Sequence, residues 1–155
     1  MSNQNIEDLN LPTVEFKEGD VIIQEGEVNN HVYILQAGKV NVSVRKQDLC
    51  DVDVKGSVFG ETSILLDSKT TATVKAVTDC SFLVIEEAEA IMKDNALVAF
   101  NIAHILALRL KHTTDLFLEV KSHLGEEHHS RFMTRFLKVM EVTNSFFDKD
   151  VKEIF

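Results

Sequence analysis

Short runs of apolar residues, each closed by a glycine or a polar turn, fill the first half of the chain. In residues 40–44, valines alternate with polar side chains, and residues 50–54 repeat this alternation, which is typical of a half-buried strand. Three further apolar runs lie at residues 21–23, 31–36 and 82–85. Glycines separate the runs, because turns often need positive φ angles that glycine adopts at little cost. Strands this short and evenly spaced predict a sandwich, barrel or roll.

From residue 86 onward the pattern becomes helical. Residues 86–93 are rich in alanine and glutamate, which indicates a short helix, and Asp94 or Asn95 can cap the next one. That next helix runs over residues 96–124 without a breaker, and Gly125 ends it.

The long helix carries two apolar stripes. We expect the first to pack on the strands; it consists of Val98, Ile102 and Ile105. The second alternates spacings of four and three residues and consists of Ala99, Ala103, Leu106, Leu110, Thr113, Phe117, Val120 and Leu124. A helix buried on two sides of its own monomer is one explanation. The pattern favours a coiled-coil seam, because one small β-domain cannot cover so long a helix, and predicts a parallel homodimer.

Residues 1–125 are therefore expected to form a β-domain with its long helix, and residues 126–155 a helical extension. Amphipathic patterns cover residues 130–142 and 145–155. The phenylalanines of this extension must be covered by the β-domain, a dimer mate or another protein.

Residues 56–77, which we call the cassette, carry the most informative polar groups. Their pattern predicts a strand ending at Phe59, a turn at Gly60, a short helix over residues 61–66 and a strand from Ala72. The first N–H groups of such a helix have no partner within it, and the helix start suits an anion.

Side chains in the cassette suggest a ligand with two polar ends. Glu61 could accept hydrogen bonds from sugar hydroxyls, while Lys69, Thr70 and Thr71 supply a cation and two hydroxyls. A pocket for a phosphate and a sugar is one interpretation. The other is a β-turn-β corner whose polar residues are simply solvated.

The cassette resembles the phosphate-binding cassette of cyclic-nucleotide-binding domains, the family of bacterial catabolite activators and of regulatory subunits of cyclic-AMP-dependent kinases. Phe-Gly-Glu at residues 59–61 and Ala-Thr-Val at residues 72–74 carry the resemblance, supported by the spacing of residues 16–26 and 31–44. It implies a mainly β fold with C-terminal helices: a double-stranded, jelly-roll-like β-roll followed by a long helix.

The resemblance also implies ligand roles for a cyclic nucleotide, cyclic AMP or cyclic GMP. Glu61 would bind the ribose 2′-hydroxyl, and backbone N–H groups near Gly60 and Ala72 and the hydroxyl of Thr71 would bind the phosphate. In the long helix, residues 109–115 resemble the activators, where a threonine–serine pair touches the base; ordinary helix hydroxyls bonded to the preceding turn are the alternative. The candidate ligand-binding residues are Phe59, Gly60, Glu61, Thr62, Lys69, Thr70, Thr71, Ala72, Thr113 and Thr114.

Position 70 departs from the family pattern, because Thr70 stands where the family has a phosphate-pairing arginine and Lys69 is the only nearby cation. Arginine offers a bidentate fork, whereas lysine offers a mobile point charge. Losing one charge-assisted contact costs about 1.5–3 kcal/mol, or roughly ten- to a hundredfold in affinity. Three interpretations stay open: Lys69 replaces the arginine, the ligand binds weakly or is atypical, or the pocket is degenerate.

Composition restricts the partners. The net charge is −9 with no basic stripe, which makes nucleic acid and anionic membranes poor partners. No apolar run approaches the roughly 20 residues needed to cross a bilayer. The polar start is not a signal peptide, and Cys50 and Cys80 are expected to be reduced, so the expected compartment is the cytoplasm.

Neither catalysis nor a resident metal or cofactor is predicted. No nucleophile motif or phosphate loop is present, and Glu61 lacks a second catalytic partner. A histidine and glutamate cluster at residues 123–129 is interrupted by Gly125, which favours a solvated linker over a metal site. The expected function is a cyclic-nucleotide sensor that moves its C-terminal helices. The alternatives are a ligand-free scaffold for dimerisation and protein docking, or a subunit whose effector is a separate protein.

Overall fold

The computed structural model describes residues 10–123. Within this range the elements are β1 (Thr13–Phe16), β2 (Val21–Ile23), β3 (Val32–Ala37), β4 (Val40–Val44), β5 (Gln47–Val52), β6 (Val58–Phe59), α1 (Glu61–Leu65), β7 (Thr73–Ala76), β8 (Cys80–Ile85), α2 (Ala88–Asp94) and α3 (Ala96–His123). The predicted extension over residues 126–155 and the histidine and glutamate cluster beyond residue 123 lie outside the described part.

The strands form two four-stranded sheets, ordered β1-β8-β3-β6 and β2-β7-β4-β5. Neighbouring strands within each sheet are antiparallel. In the first sheet β3 lies between β8 and β6, and in the second sheet β4 lies between β7 and β5. The alternating apolar positions of β4 and β7 face the first sheet across a shared core. This arrangement confirms the predicted mainly β roll with C-terminal helices.

Two apolar clusters hold this arrangement together. The inner cluster lies between the sheets around Phe82, which is fully buried and packs edge-on against Phe16, Tyr33 and Phe59. The outer cluster lies between the first sheet and the helices, and it contains Val32, Ile34, Val58, Ile85, Ala88, Met92, Val98 and Ile102. Because both faces of the first sheet are covered at β3, β6 and β8, these three strands form the most deeply buried part of the fold.

The predicted cap of α3 is confirmed. The side-chain oxygen of Asn95 accepts hydrogen bonds from the backbone N–H groups of Leu97 and Val98, both at 3.1 Å. The first apolar stripe lies on the roll as expected, with Val98 fully buried and Ile102 only 3% exposed. Each such side chain contributes about 1.5–3 kcal/mol by burial.

The strand predicted over residues 50–54 lies earlier in the chain, at Gln47–Val52. The reason is a tight turn at Arg45 and Lys46, which both have positive φ angles of 51° and 63°. Such turns usually contain glycine or asparagine, so Arg45 and Lys46 carry no local signal for this one.

The chain divides into two compact units within α3, one ending at Ala107 and the other beginning at Leu108. In the second unit Leu110, Leu116 and Leu118 are 65%, 60% and 53% exposed. The predicted seam and homodimer stay predictions, as does the domain boundary at residue 125. No single helix in the described range has the length and apolarity to cross a bilayer; only α2 and α3 taken together do, across a 108° bend.

Candidate functional site

The turn into α1 is formed by a glycine that no other residue could replace without strain. Gly60 has φ +90° at the start of α1, a left-handed conformation. A Cβ built on it would lie 2.6 Å from both the side-chain nitrogen of Asn29 and the carbonyl oxygen of His31. The turn therefore requires glycine for its backbone angle and for its close approach to the β2–β3 loop.

Two side chains hold this turn in place. The Asn29 amide donates to the carbonyl oxygens of His31, at 2.7 Å, and Gly60, at 3.4 Å, and it accepts from the His31 N–H at 3.2 Å. The Ser63 hydroxyl donates to the Gly60 carbonyl at 2.9 Å. Sequence reasoning missed both residues; the only available signal for Asn29 was its tendency to bond nearby backbone in loops.

Glu61 follows the turn as the first residue of α1 and is 2% exposed. The Thr62 hydroxyl donates to one of its carboxylate oxygens at 3.2 Å. An ionised carboxylate has acceptor capacity for several donors, and a buried one requires polar partners because desolvation is costly. The predicted sugar-binding residue is thus a buried acceptor placed by a rigid turn.

Phe59 serves the core. Its ring lies in the inner cluster, edge-on to Phe82 with the ring centres 6.3 Å apart. Its strand partner in β3 is Tyr33, and burial raises the pKa of that phenol. These two residues form a neutral, apolar support beneath the Gly60 turn.

Thr70, at the position of the family's arginine, is 6% exposed and is bonded to backbone. Its hydroxyl donates to the Gln24 carbonyl oxygen and accepts from the Glu27 N–H at 3.1 Å. Its own N–H donates to the Glu27 carbonyl at 2.9 Å, and its carbonyl accepts from the Gly26 N–H at 2.8 Å. The residue ties the end of the cassette to the β2–β3 loop.

The neighbours of Thr70 point outward. Lys69 and Thr71 are exposed and Ala72 is half-buried. Lys69 makes no ion pair with any residue of the described range. The nearby cation of the predicted site is therefore solvated.

The β2–β3 loop, residues 24–31, joins the two ends of the cassette. Its first part binds Thr70 and its Asn29 binds the Gly60 turn. The structure thus attaches both groups of predicted residues, those at 59–62 and those at 69–72, to one loop.

Thr113 and Thr114 lie in the second unit of the chain. Their hydroxyls donate to the carbonyl oxygens of Arg109 and Leu110, at 2.8 and 2.9 Å. This is the ordinary helical bonding that the sequence left as an alternative, and their contact with a base stays a prediction.

Known proteins share part of this sequence and its fold. The chain is 37% identical over 68 residues to the cGMP-dependent protein kinase of Plasmodium berghei (strain Anka), a match covering 43% of this chain and 8% of that protein. The chain therefore spans less than a tenth of the length of that relative.

Two solved structures have similar folds. The Thermus thermophilus catabolite activator protein superposes with a TM-score of 0.62 at 26% identity, covering 77% of this chain and 61% of that one. The regulatory subunit of a cAMP-independent protein kinase A from Trypanosoma cruzi, bound to guanosine, gives 0.51 at 26% identity, covering 57% and 33%.

The family profile described as "Cyclic nucleotide-binding domain" matches residues 13–92, which include the whole cassette and more than half of the chain. This chain therefore belongs to the cyclic nucleotide-binding domain family.

Proposed function

We propose that this chain is a non-catalytic regulatory module whose cassette binds the ribose of a purine nucleotide, with cyclic AMP and cyclic GMP as the first ligands to test. The buried Glu61 carboxylate, placed by the left-handed Gly60, carries the proposal. A carboxylate shielded from water makes strong hydrogen bonds to sugar hydroxyls, because water does not compete for them.

The relatives support the ribose as the common element. One is a cGMP-dependent kinase, another is a catabolite activator, and a third is bound to guanosine. These proteins differ in the ligand that their names record, and a purine ribose is shared by cyclic GMP and guanosine. Glu61 is the residue of this chain suited to that shared group.

Ligand binding would reach the helices through α1. Ile64 of α1 packs against the outer cluster, which also contains Val98 and Ile102 of α3. A groove of ≈ 300 Å³ is lined by residues of all three helices, among them Leu65 of α1, Met92 of α2 and Ala99 of α3. We infer that a shift of α1 repacks the first part of α3, provided that the ligand binds one arrangement better than the other.

The expected output is a change in what α3 presents to a partner. Exposed leucines on the second unit, among them Leu110 and Leu116, favour a second copy of the chain or a separate effector protein. The match covers only 8% of the kinase relative. The proposal therefore concerns ligand binding by this chain and not the activity of a longer protein.

Calorimetric titration of the full chain with cyclic AMP, cyclic GMP, adenosine and guanosine tests the proposal. We expect saturable heat for at least one ligand and a higher Tm in its presence. Replacing Glu61→Gln should weaken that ligand by roughly ten- to a hundredfold, because a charge-assisted hydrogen bond is lost. The matched control is Glu15→Gln, an exposed glutamate on β1 that should leave affinity unchanged. Absence of heat and of any Tm change with all four ligands would overturn the proposal.

A ligand-free dimerisation scaffold is the second candidate, and the backbone-bonded Thr70 favours it. A scaffold would ignore all four ligands and would sediment as a dimer with or without them. Sedimentation velocity on the same samples separates the two candidates, because a sensor that acts through α3 changes its association or its shape on binding.

A further inference from the structure

The charge around the cassette bears on which kind of ligand it accepts. Lys69 is the only basic residue between Gly56 and Val74, and it is exposed. On the β2–β3 loop, Glu27 is exposed, and the Glu25 carboxylate accepts a hydrogen bond from the Arg45 N–H at 2.7 Å. The cassette itself contributes the buried carboxylate of Glu61. The described residues between Gly56 and Val74 therefore include one exposed cation and no buried one.

Thr70 does not supply a buried cation for a ligand phosphate. Thr70 is buried, and its hydroxyl, N–H and carbonyl are all bonded to backbone groups of residues 24–27. A ligand phosphate could accept from this hydroxyl only if the hydroxyl gave up its hydrogen bond to the Gln24 carbonyl oxygen. The position that holds the family's phosphate partner is thus used to fix the loop.

We propose that the cassette binds an uncharged purine ribonucleoside more tightly than the corresponding 3′,5′-cyclic monophosphate. The proposal rests on the proposed function, because it assumes that the ribose binds at Glu61. A nucleoside keeps the charge-assisted hydrogen bonds between ribose hydroxyls and the carboxylate. A cyclic monophosphate adds an anion that must be partly desolvated, and the described residues of the cassette include no buried cation to pair with it.

The sugar requirement follows from the same geometry. A ligand held mainly through Glu61 depends on its 2′-hydroxyl, so 2′-deoxyguanosine should bind at least roughly tenfold more weakly than guanosine. Salt should have little effect on nucleoside binding, because no net ligand charge is involved.

The deciding experiment is a calorimetric comparison, on the wild-type full chain, of guanosine with cyclic GMP and of adenosine with cyclic AMP. We expect the better nucleoside to bind roughly tenfold more tightly than its cyclic monophosphate. A cyclic monophosphate that binds as tightly as its nucleoside, or more tightly, overturns this inference and leaves the proposed function standing. Binding of neither class overturns the proposed function itself.

Thr70→Arg provides the second test. An arginine that reaches the phosphate should raise the affinity for cyclic GMP by roughly ten- to a hundredfold and leave guanosine unchanged. Lys46→Arg is the control, since it adds the same side chain at an exposed position on the β4–β5 turn and should change neither affinity. A folded Thr70→Arg variant that keeps the wild-type preference for guanosine over cyclic GMP would contradict the role given to position 70. If the variant does not fold, the comparison of ligands on the wild-type chain decides by itself.

Discussion

The two ends of the cassette are built differently. At its start, Gly60 and Glu61 are packed against the loop and the core, and Asn29 and Ser63 bond to the turn. At its end, hydrogen bonds of Thr70 and Thr73 attach the chain to the β2–β3 loop, while Lys69 and Thr71 are exposed. The start of the cassette is thus a rigid hydrogen-bond acceptor, whereas Lys69, the basic residue beside Thr70 near its end, is exposed.

This difference indicates where ligand selectivity arises. A group held by packing and hydrogen bonds is already oriented before a ligand arrives and pays little ordering entropy on binding. An exposed lysine must give up rotamer freedom and hydration to make the same contact. Ligand affinity is therefore expected to depend strongly on Glu61 and only weakly on Lys69.

The largest effect is expected at the turn. Gly60→Ala should destabilise the chain by about 2–5 kcal/mol, because it adds a Cβ in a left-handed conformation and within contact distance of backbone. Urea denaturation measures this loss. Gly56→Ala is the matched control: it has φ +88° but nothing within 4 Å of the added Cβ, so only the backbone cost of about 1–2 kcal/mol should appear. Equal losses in both variants would show that the close approach at Gly60 carries no energetic weight.

An intermediate effect is expected at the end of the cassette. Thr70→Val keeps the shape but removes the hydroxyl that accepts from the Glu27 N–H, which should cost about 1–3 kcal/mol. Thr71→Val, at the exposed neighbouring position, should stay within about 0.5 kcal/mol of wild type in the same urea titration. If both substitutions are neutral, the attachment of the cassette to the loop is not what holds its end.

The smallest effect is expected for the solvated cation. Lys69→Ala should leave stability within about 0.5 kcal/mol and change the affinity for cyclic GMP by less than about threefold, because the side chain is exposed and unpaired within the described range. Calorimetry on the variant checks this. A tenfold loss would instead identify Lys69 as a substitute for the missing arginine.

Several parts of the fold were predictable from the sequence. The glycine-punctuated apolar runs indicated the strands, Asn95 marked the start of α3, and Val98 and Ile102 marked its buried face. The strand at Gln47–Val52 was placed too late, because its turn uses two non-glycine residues with positive φ angles. Such a turn is imposed by strand pairing and leaves no local signature.

What the sequence determined by itself was the order of the elements and the positions of Gly60, Glu61 and Thr70 within the cassette, since these follow from patterns only a few residues long. Only the tertiary structure decided that Glu61 is buried, that Lys69 is solvated, and that the Thr70 hydroxyl bonds to Gln24, 46 residues earlier in the chain. The physical reason is that burial and hydrogen-bond partners in a β-roll come from strands and loops distant in sequence, which a local pattern does not encode.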